Sequence, residues 1–120
     1  MSKTILVVDD SVVVRQVVSL TLRSAGFSIV DAVNGADALK RLQSTQVEMI
    51  ITDLNMPEMD GITFIREVRS RDDVRHLPIV MLTTVSQEGR KQEGRMAGAT
   101  AWVYKPFSAR QLLDTVRKFI

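Results

Sequence analysis

Apolar residues in this chain follow two alternating patterns, and each pattern predicts a different element of secondary structure. The first is a short, continuous run rich in β-branched residues that ends in polar residues, as residues 5–8 end before Asp9. Such runs are typical of strands with both faces buried in a parallel sheet. The pattern predicts five strands, over residues 5–8, 27–33, 47–51, 79–82 and 101–104. The second of these runs shows the pattern least clearly.

The longer segments between these runs have a helical period. In residues 12–25, Arg15, Ser19 and Arg23 recur at every fourth position, which indicates a helix despite the many valines. Ser11 suits the start of this helix and Gly26 its end. The side expected to face the core carries Val14, Val17, Val18, Leu22 and Ala25. Further helices are expected over residues 36–42, 62–68 and 86–97, and after the cap residue Ser108.

Strands and helices therefore alternate five times along the chain. Right-handed crossovers turn this order into an α/β fold, a doubly wound (βα)5 parallel sheet with helices on both faces. Ligands of such sheets bind beyond the carboxyl ends of the strands. Because no linker or repeat interrupts the pattern, we expect one domain over residues 1–120.

Polar residues that end four of the strands would meet at one edge of this sheet. Asp9 and Asp10 follow the first strand, Asp53 the third, Thr83 the fourth and Lys105 the fifth. Three close carboxylates repel one another, and a divalent cation relieves the repulsion. Oxygen ligands without His or Cys favour Mg²⁺, which together with a lysine neutralises a phosphoryl group. Since a carboxylate can be a nucleophile, the set predicts a Mg²⁺-dependent phosphoryl acceptor.

Each of these residues also has a simpler interpretation. Asp9 and Asp10 could form a turn that places charge at a helix N-terminus, Thr83 with Thr84 could cap a helix, and Lys105 could be a solvated charge. The segment 55–61 could be only a turn-rich connector, since Pro and Asp-Gly form turns. Their joint occurrence at four strand ends argues against all of these interpretations together.

The composition is that of a globular domain, and it excludes several classes of functional site. With 16 basic and 14 acidic residues, the net charge of +2 is too small to indicate DNA binding. The absence of cysteine excludes disulfides, zinc–thiolate sites and thiol catalysis. No apolar run reaches the ~18 residues that a membrane span needs. We therefore expect a cytoplasmic protein that neither binds DNA directly nor inserts into a membrane.

Four stretches carry a resemblance to a known family: LVVDD at 6–10, TDLNMPEMDG at 52–61, VMLTT at 80–84 and GATAWVYKPF at 98–107. With them the whole chain resembles the receiver domain of two-component response regulators, and closely the free-standing CheY-like chemotaxis regulators. The resemblance implies a flavodoxin-like strand order of 2-1-3-4-5. It identifies Asp53 as the phosphoacceptor and Asp10, Asp53 and the backbone carbonyl of Asn55 as Mg²⁺ ligands, with Asp9 acting on the metal mainly through water.

The resemblance also implies how the signal is transmitted. Lys105 matches the lysine that contacts the phosphoryl group, and its bond to Pro106 is expected to be cis. Thr83 matches the switch hydroxyl. Trp102 occupies the position of the switch aromatic, which is commonly Tyr or Phe, and its indole N–H can donate but not accept a hydrogen bond. The segment 86–97, with Met96 as its main apolar anchor and two glycines inside it, is expected to be the mobile part of the switch.

The implied function is that of a monomeric signalling protein rather than an enzyme, although it assists its own phosphotransfer and dephosphorylation. A chemotaxis-type histidine kinase would phosphorylate Asp53, and the surface of the fourth helix, fifth strand and fifth helix would then bind an output protein such as a flagellar motor switch component. Alternatives within this class are a phosphorelay intermediate, a phosphate sink or a receiver fragment of a larger regulator. An aspartate-nucleophile phosphatase is the rival from another class, but it needs a D-x-D motif, and Asp9 and Asp10 are adjacent.

The remaining polar residues are expected mostly at the surface. The only histidine, His76, precedes Pro78 in a polar loop. The basic residues Arg90, Lys91 and Arg95 form either a solvated helix face or a contact for an acidic partner. Tyr104 is expected to serve in packing. Solvated surface positions are also expected for Arg66, Arg69, Arg71 and Arg75.

Overall fold

A five-stranded parallel sheet forms the centre of the computed structural model, which describes residues 2–120. The strands are β1 (Thr4–Val8), β2 (Ser28–Ala32), β3 (Met49–Asp53), β4 (Ile79–Thr83) and β5 (Ala101–Tyr104). They pair in the order β2-β1-β3-β4-β5, and all four pairings are parallel. The predicted α/β fold with strand order 2-1-3-4-5 is confirmed.

The five helices follow the strands as expected, but the fourth is divided. The α-helices are α1 (Val12–Ser24), α2 (Gly35–Ser44), α3 (Gly61–Arg69), α4 (Lys91–Ala97) and α5 (Ala109–Arg117). A 3₁₀ helix, Val85–Arg90, precedes α4, so the single helix expected over residues 86–97 is wrong in its first half. Gly89 lies in this half, and 3₁₀ turns are frequent where an α-helix begins in a sequence of poor helix propensity.

Four of the α-helices begin at a side-chain cap, and the caps are Ser11, Asn34, Asp60 and Ser108. The hydroxyl of Ser11 accepts a hydrogen bond from the N–H of Val14, and Asn34 caps α2 in the same way. Ser108 forms a capping box with Gln111 at the start of α5. Gly26 follows α1 with a φ of 97°, a conformation that glycine adopts without steric cost. The predicted caps Ser11 and Ser108 are therefore confirmed.

Two apolar layers enclose the sheet, because successive strand residues point to opposite faces. Leu6, Ile50 and Met81 face a layer that includes Phe64 and Ile65 of α3. The opposite layer packs α1 and α5 on the sheet and includes Ile5, Val7, Leu82, Leu112 and Val116. Every residue of β3 and β4 is buried, which is why these strands read as continuous apolar runs. Their carboxyl ends are thus packed within the core.

Helix α1 leaves several large apolar side chains exposed. Val18 and Leu22 are fully buried, but Val17, which was expected to face the core, is 49% exposed. The hydroxyl-bearing Ser19, expected on the polar side, is buried instead. The valines therefore only partly indicate which side of α1 packs on the sheet. The exposed apolar side chains of this helix are Val12, Val13, Val17 and Leu20.

Arg69 is not the solvated surface residue that its sequence context suggests. Its Nε and Nη2 donate to the carbonyl oxygen of Gly98 at 3.0 and 2.7 Å, and its Nη1 donates to those of Arg75 and Leu77 at 2.7 and 2.6 Å. Burial lowers the pKa of its guanidinium. Arg69 thereby ties the end of α3 to the turn after α4 and to the loop before β4.

Helix α4 approaches the sheet through small residues. Met96, expected to be its main anchor, is 78% exposed, whereas Gly94 and Ala97 are buried. A Cβ at Gly94 would lie 2.5 Å from the Cε atom of Met81, so the missing side chain is what permits the contact. Little apolar area of α4 is therefore buried, as the sequence predicted, but not through the expected residue. Within residues 2–120, none of the helices has the length and apolar character needed to cross a membrane.

Candidate functional site

The carboxyl ends of the strands bring the predicted acidic residues and lysine together. Oxygen atoms of Asp9, Asp10 and Asp53 lie within 4.8 Å of one another. The Nζ atom of Lys105 donates to Oδ1 of Asp53 at 2.9 Å and to Oδ2 of Asp9 at 3.3 Å. The Lys105–Pro106 peptide bond is cis, as expected. Three strands thus contribute to one charged cluster.

The cluster is buried on one side and open on the other. Asp9 is 1% and Asp53 7% exposed, whereas Asp10 is exposed. Burial raises the pKa of Asp9, and the nearby charge of Asp53 raises it further. The hydrogen bond from the N–H of Ser11 and the charge of Lys105 lower the pKa but do not cancel the effect of burial. Burial alone would lower the pKa of Lys105, but its contacts with Asp53 and Asp9 outweigh this and raise the pKa. Lys105 therefore stays charged.

The three carboxylates fit a hard divalent cation. One lysine compensates only part of their charge, and the buried position of Asp9 makes its ionised form costly. Their oxygens are close enough to share an ion, and oxygen-only donors of this kind suit Mg²⁺. Asn55 lies in the loop two residues beyond Asp53, where its backbone carbonyl stays a predicted ligand.

The Asp60–Gly61 pair folds this loop back onto the end of β3, so the segment is more than a connector. Asp60 caps α3 by accepting from the N–H of Thr63 at 2.9 Å. The N–H of Gly61 donates to the carbonyl oxygen of Leu54 at 2.7 Å. A Cβ at Gly61 would lie 2.2 Å from the backbone oxygen of Asp53, so no side chain fits there without movement of the backbone.

Thr83 is fully buried and turns its hydroxyl towards the 3₁₀ helix. Its Oγ1 donates to the side-chain Oε1 of Gln87 at 3.3 Å and to the carbonyl oxygen of Thr84 at 3.4 Å. Gln87 also accepts from the N–H of Thr84 at 2.9 Å. Sequence reasoning missed Gln87, although the Thr84-x-x-Gln87 spacing of a capping box was visible.

Trp102 and Tyr104 lie side by side on β5 beneath basic residues of α4. Trp102 is half-buried, and the Nζ atom of Lys91 lies 4.5 Å from its ring centroid. Arg95 covers the same ring at 5.7 Å. The hydroxyl of Tyr104 donates to Glu88 and accepts from Lys91 at 2.9 Å, a contact that raises the pKa of Lys91. Tyr104 thus does more than pack.

Arg90, Lys91 and Arg95, for which the sequence allows two interpretations, contact other residues of the chain. The charged groups of Lys91 and Arg95 lie over the ring of Trp102. Arg90 donates hydrogen bonds to Asn55 and Asp60 in the loop after β3. His76 is exposed in the loop before β4, at the edge of the sheet opposite Asp53. The expectation of a surface position for His76 is confirmed.

Comparisons with known proteins agree with this arrangement. The profile of the response regulator receiver domain matches residues 5–117. The chain is 36% identical to the chemotaxis protein CheY of Pseudomonas aeruginosa over 115 residues, which cover 95% of this chain and 93% of that protein. The structure of the chemotaxis response regulator CheY4 of Vibrio cholerae matches with a TM-score of 0.94 and 41% identity, and covers all of both chains.

A second solved structure concerns the cation. The receiver domain of a sensor histidine kinase of Pseudomonas aeruginosa, solved with a magnesium ion coordinated in its active-site cleft, matches with a TM-score of 0.91 and 27% identity over 99% of this chain and 98% of that one. The profile match spans almost the whole chain, and the cluster of Asp9, Asp53 and Lys105 lies where that fold binds its ligands. The chain belongs to the response regulator receiver domain family.

Proposed function

We propose that the chain is a phosphorylation-controlled switch in which Asp53 accepts a phosphoryl group from a phosphohistidine. The contact of 2.9 Å between Asp53 and Lys105 carries this proposal, because it places an ammonium against the carboxylate that would react. An aspartate oxygen attacks phosphorus, the N–P bond breaks, and an aspartyl phosphate forms while the electron pair leaves with the imidazole. Lys105 then holds a phosphoryl oxygen.

The cation has a supporting role in this proposal. Mg²⁺, bound by the carboxylates of Asp10 and Asp53 and the carbonyl of Asn55, would neutralise the charge of the transferring group. Asp9, buried beside Lys105, would act on the ion mainly through water and hold the lysine in place. The three clustered carboxylates and the magnesium-bound relative support this assignment.

Millimolar Mg²⁺ is expected to raise the melting temperature of the wild type, because it binds the native cluster and relieves its repulsion. At ten times the Kd the gain is roughly 1.4 kcal/mol. Asp10→Ala should lose most of this gain, and without metal it should be at least as stable as the wild type because one repelling charge is gone. Thermal unfolding with and without Mg²⁺ measures both effects. Asp72→Ala, at a 92% exposed carboxylate, is the control and should respond like the wild type.

The kinase contact is proposed to include the exposed apolar part of α1. Val13 and Val17 line a groove of ≈ 410 Å³ together with Lys105, Pro106 and Phe107. A donor must bring its phosphohistidine within bonding distance of Asp53, and Lys105 contacts both that carboxylate and this groove. We therefore assign the groove to a histidine-bearing domain of the kinase, whose apolar surface would cover the valines.

Val13→Glu is expected to slow phosphotransfer from the kinase by about tenfold or more, because it places a charge in an apolar contact. Phosphorylation by acetyl phosphate should stay unchanged, since this small donor needs no docking surface. Initial rates with the two donors measure the difference. Met96→Glu, at an exposed apolar position on α4, is the matched control. Equal slowing with both donors would mean that Val13 acts on the site rather than on docking.

The output step is proposed to use the surface of α4, β5 and α5. The hydroxyl of Thr83 would exchange its hydrogen bond to Gln87 for one to a phosphoryl oxygen. Trp102, whose ring lies beneath Lys91 in this structure, would then reorient into the space that Thr83 vacates. The CheY relatives favour an output protein of the chemotaxis type, such as a flagellar motor switch component. Binding of candidate output proteins with and without beryllofluoride, a substitute for the phosphoryl group, tests this step.

A further inference from the structure

Arg90 joins the start of α4 to the loop after the phosphoacceptor strand. Its Nη1 donates to Oδ1 of Asn55 at 3.1 Å, and its Nη2 donates to Oδ2 of Asp60 at 3.0 Å. Asn55 is the second residue and Asp60 the last of the irregular segment 54–60 between β3 and α3. One guanidinium therefore spans the whole loop that leads away from Asp53.

The contacts of Arg90 with Asn55 and Asp60, called here the Arg90 bridge, are supported by neighbouring residues. The Arg90 and Asp60 side chains are only 34% and 35% exposed, so water screens their contact incompletely. Burial alone would raise the pKa of Asp60, but the N–H of Thr63 and the guanidinium of Arg90 outweigh it and lower the pKa. Glu93 of α4 lies 3.7 Å from the same guanidinium and orients it. Asp60 thus serves as a helix cap and as the ionic partner of Arg90.

The position of the bridge gives it a consequence for the site. Asn55 is the loop residue whose backbone carbonyl is the expected Mg²⁺ ligand, and Arg90 grips the side chain of that same residue. The 3₁₀ helix is also bound to the site through Gln87, whose side chain accepts from the hydroxyl of Thr83. The helix is therefore fastened to the site at two points, the switch hydroxyl and the metal-binding loop.

We propose that Arg90 is a positioning residue for phosphotransfer. It holds the loop in the shape in which Asn55 presents its carbonyl to the carboxylate cluster, and it couples that loop to the start of α4. Because a guanidinium has two donors in a fixed plane, it can fix both ends of the loop at once, which a lysine ammonium does less well. The proposal rests on the proposed function for its kinetic consequence but not for the coupling itself.

The coupling is tested in the unphosphorylated protein without Mg²⁺. Arg90→Ala should speed amide hydrogen exchange in residues 55–60 and 85–90 by about threefold to tenfold, while the central strands stay unchanged. Asp60→Asn keeps a capping side chain but removes the charge, so it should produce part of this effect. Arg66→Ala, at an exposed arginine of α3, is the control for loss of a positive charge. Exchange like that of the wild type in both segments of Arg90→Ala would overturn the coupling.

The positioning role is tested by the Mg²⁺ dependence of phosphorylation with acetyl phosphate. Arg90→Ala should raise the half-saturating Mg²⁺ concentration by about threefold or more and change the rate at saturating Mg²⁺ much less. Arg90→Lys should restore part of the Mg²⁺ affinity. Faster exchange without any change in Mg²⁺ dependence would mean that Arg90 only stabilises the loop, and it would overturn the positioning role. Phosphorylation of the wild type at a residue other than Asp53 would refute the proposed function but leave the exchange result untouched, so the two failures are distinguishable.

Discussion

Asp53→Asn is expected to abolish phosphorylation by acetyl phosphate and Mg²⁺, whereas the wild type gains one acid-labile phosphoryl group. The amide that replaces the carboxylate is not a nucleophile at neutral pH, and no other carboxylate in residues 2–120 combines the burial of Asp53 with its 2.9 Å contact to Lys105. The fold should persist, because the side chains have the same shape and one of three repelling charges is removed. Intact-protein mass spectrometry measures the phosphoryl group, and thermal unfolding verifies the fold.

Two further variants separate the roles in this cluster. Lys105→Ala leaves Asp53 in place but removes the group that would stabilise phosphoryl oxygens, so it should slow phosphorylation without abolishing it. Asp72→Asn changes a carboxylate of the same kind at an exposed position and should be phosphorylated like the wild type. Phosphate found in the wild type on Ser, Thr or His76 instead of Asp53 would refute the assignment of Asp53.

The sequence predicts those parts of the fold and site that depend on local patterns. Residues at strand ends meet in space because parallel strands end at one edge, which is why the sequence pattern alone groups Asp9, Asp53 and Lys105. The caps Ser11 and Ser108 are likewise predictable, since a cap acts on the N–H three residues ahead.

The contacts that the sequence does not predict join residues far apart in the chain. Arg69 reaches the carbonyl of Gly98, 29 residues away, and Arg90 reaches Asn55, 35 residues away. An arginine that binds backbone carbonyls has the same local context as a solvated one, so no periodicity distinguishes the two. Similarly, Met96 was expected to anchor α4 because it is large, but the buried contact is made by Gly94, whose small size allows close approach.

Gly61→Ala is expected to destabilise the fold by about 2–3 kcal/mol and to impair phosphorylation at the same time. The added Cβ would lie 2.2 Å from the carbonyl oxygen of Asp53 and 3.0 Å from the Cα of Leu54, and both neighbours are backbone atoms that cannot rotate away. For a domain of this size the loss corresponds to roughly 8–12 °C in melting temperature. Because the strain falls on the strand end that carries Asp53, the phosphorylation rate should fall by about tenfold or more.

Gly89→Ala supplies the matched control for this prediction. Gly89 lies in the 3₁₀ helix, and a Cβ there would meet nothing within 4 Å beyond its chain neighbours and the backbone of its own helix. The same added methyl group should therefore be neutral or stabilise by a few tenths of a kcal/mol. Thermal unfolding and the rate of phosphorylation by acetyl phosphate compare the two variants under one set of conditions. If Gly61→Ala unfolds within about 2 °C of the wild type, the loop after β3 yields to the added methyl group. The close approach of Gly61 to Asp53 would then not be what holds the Asp53 side chain in position.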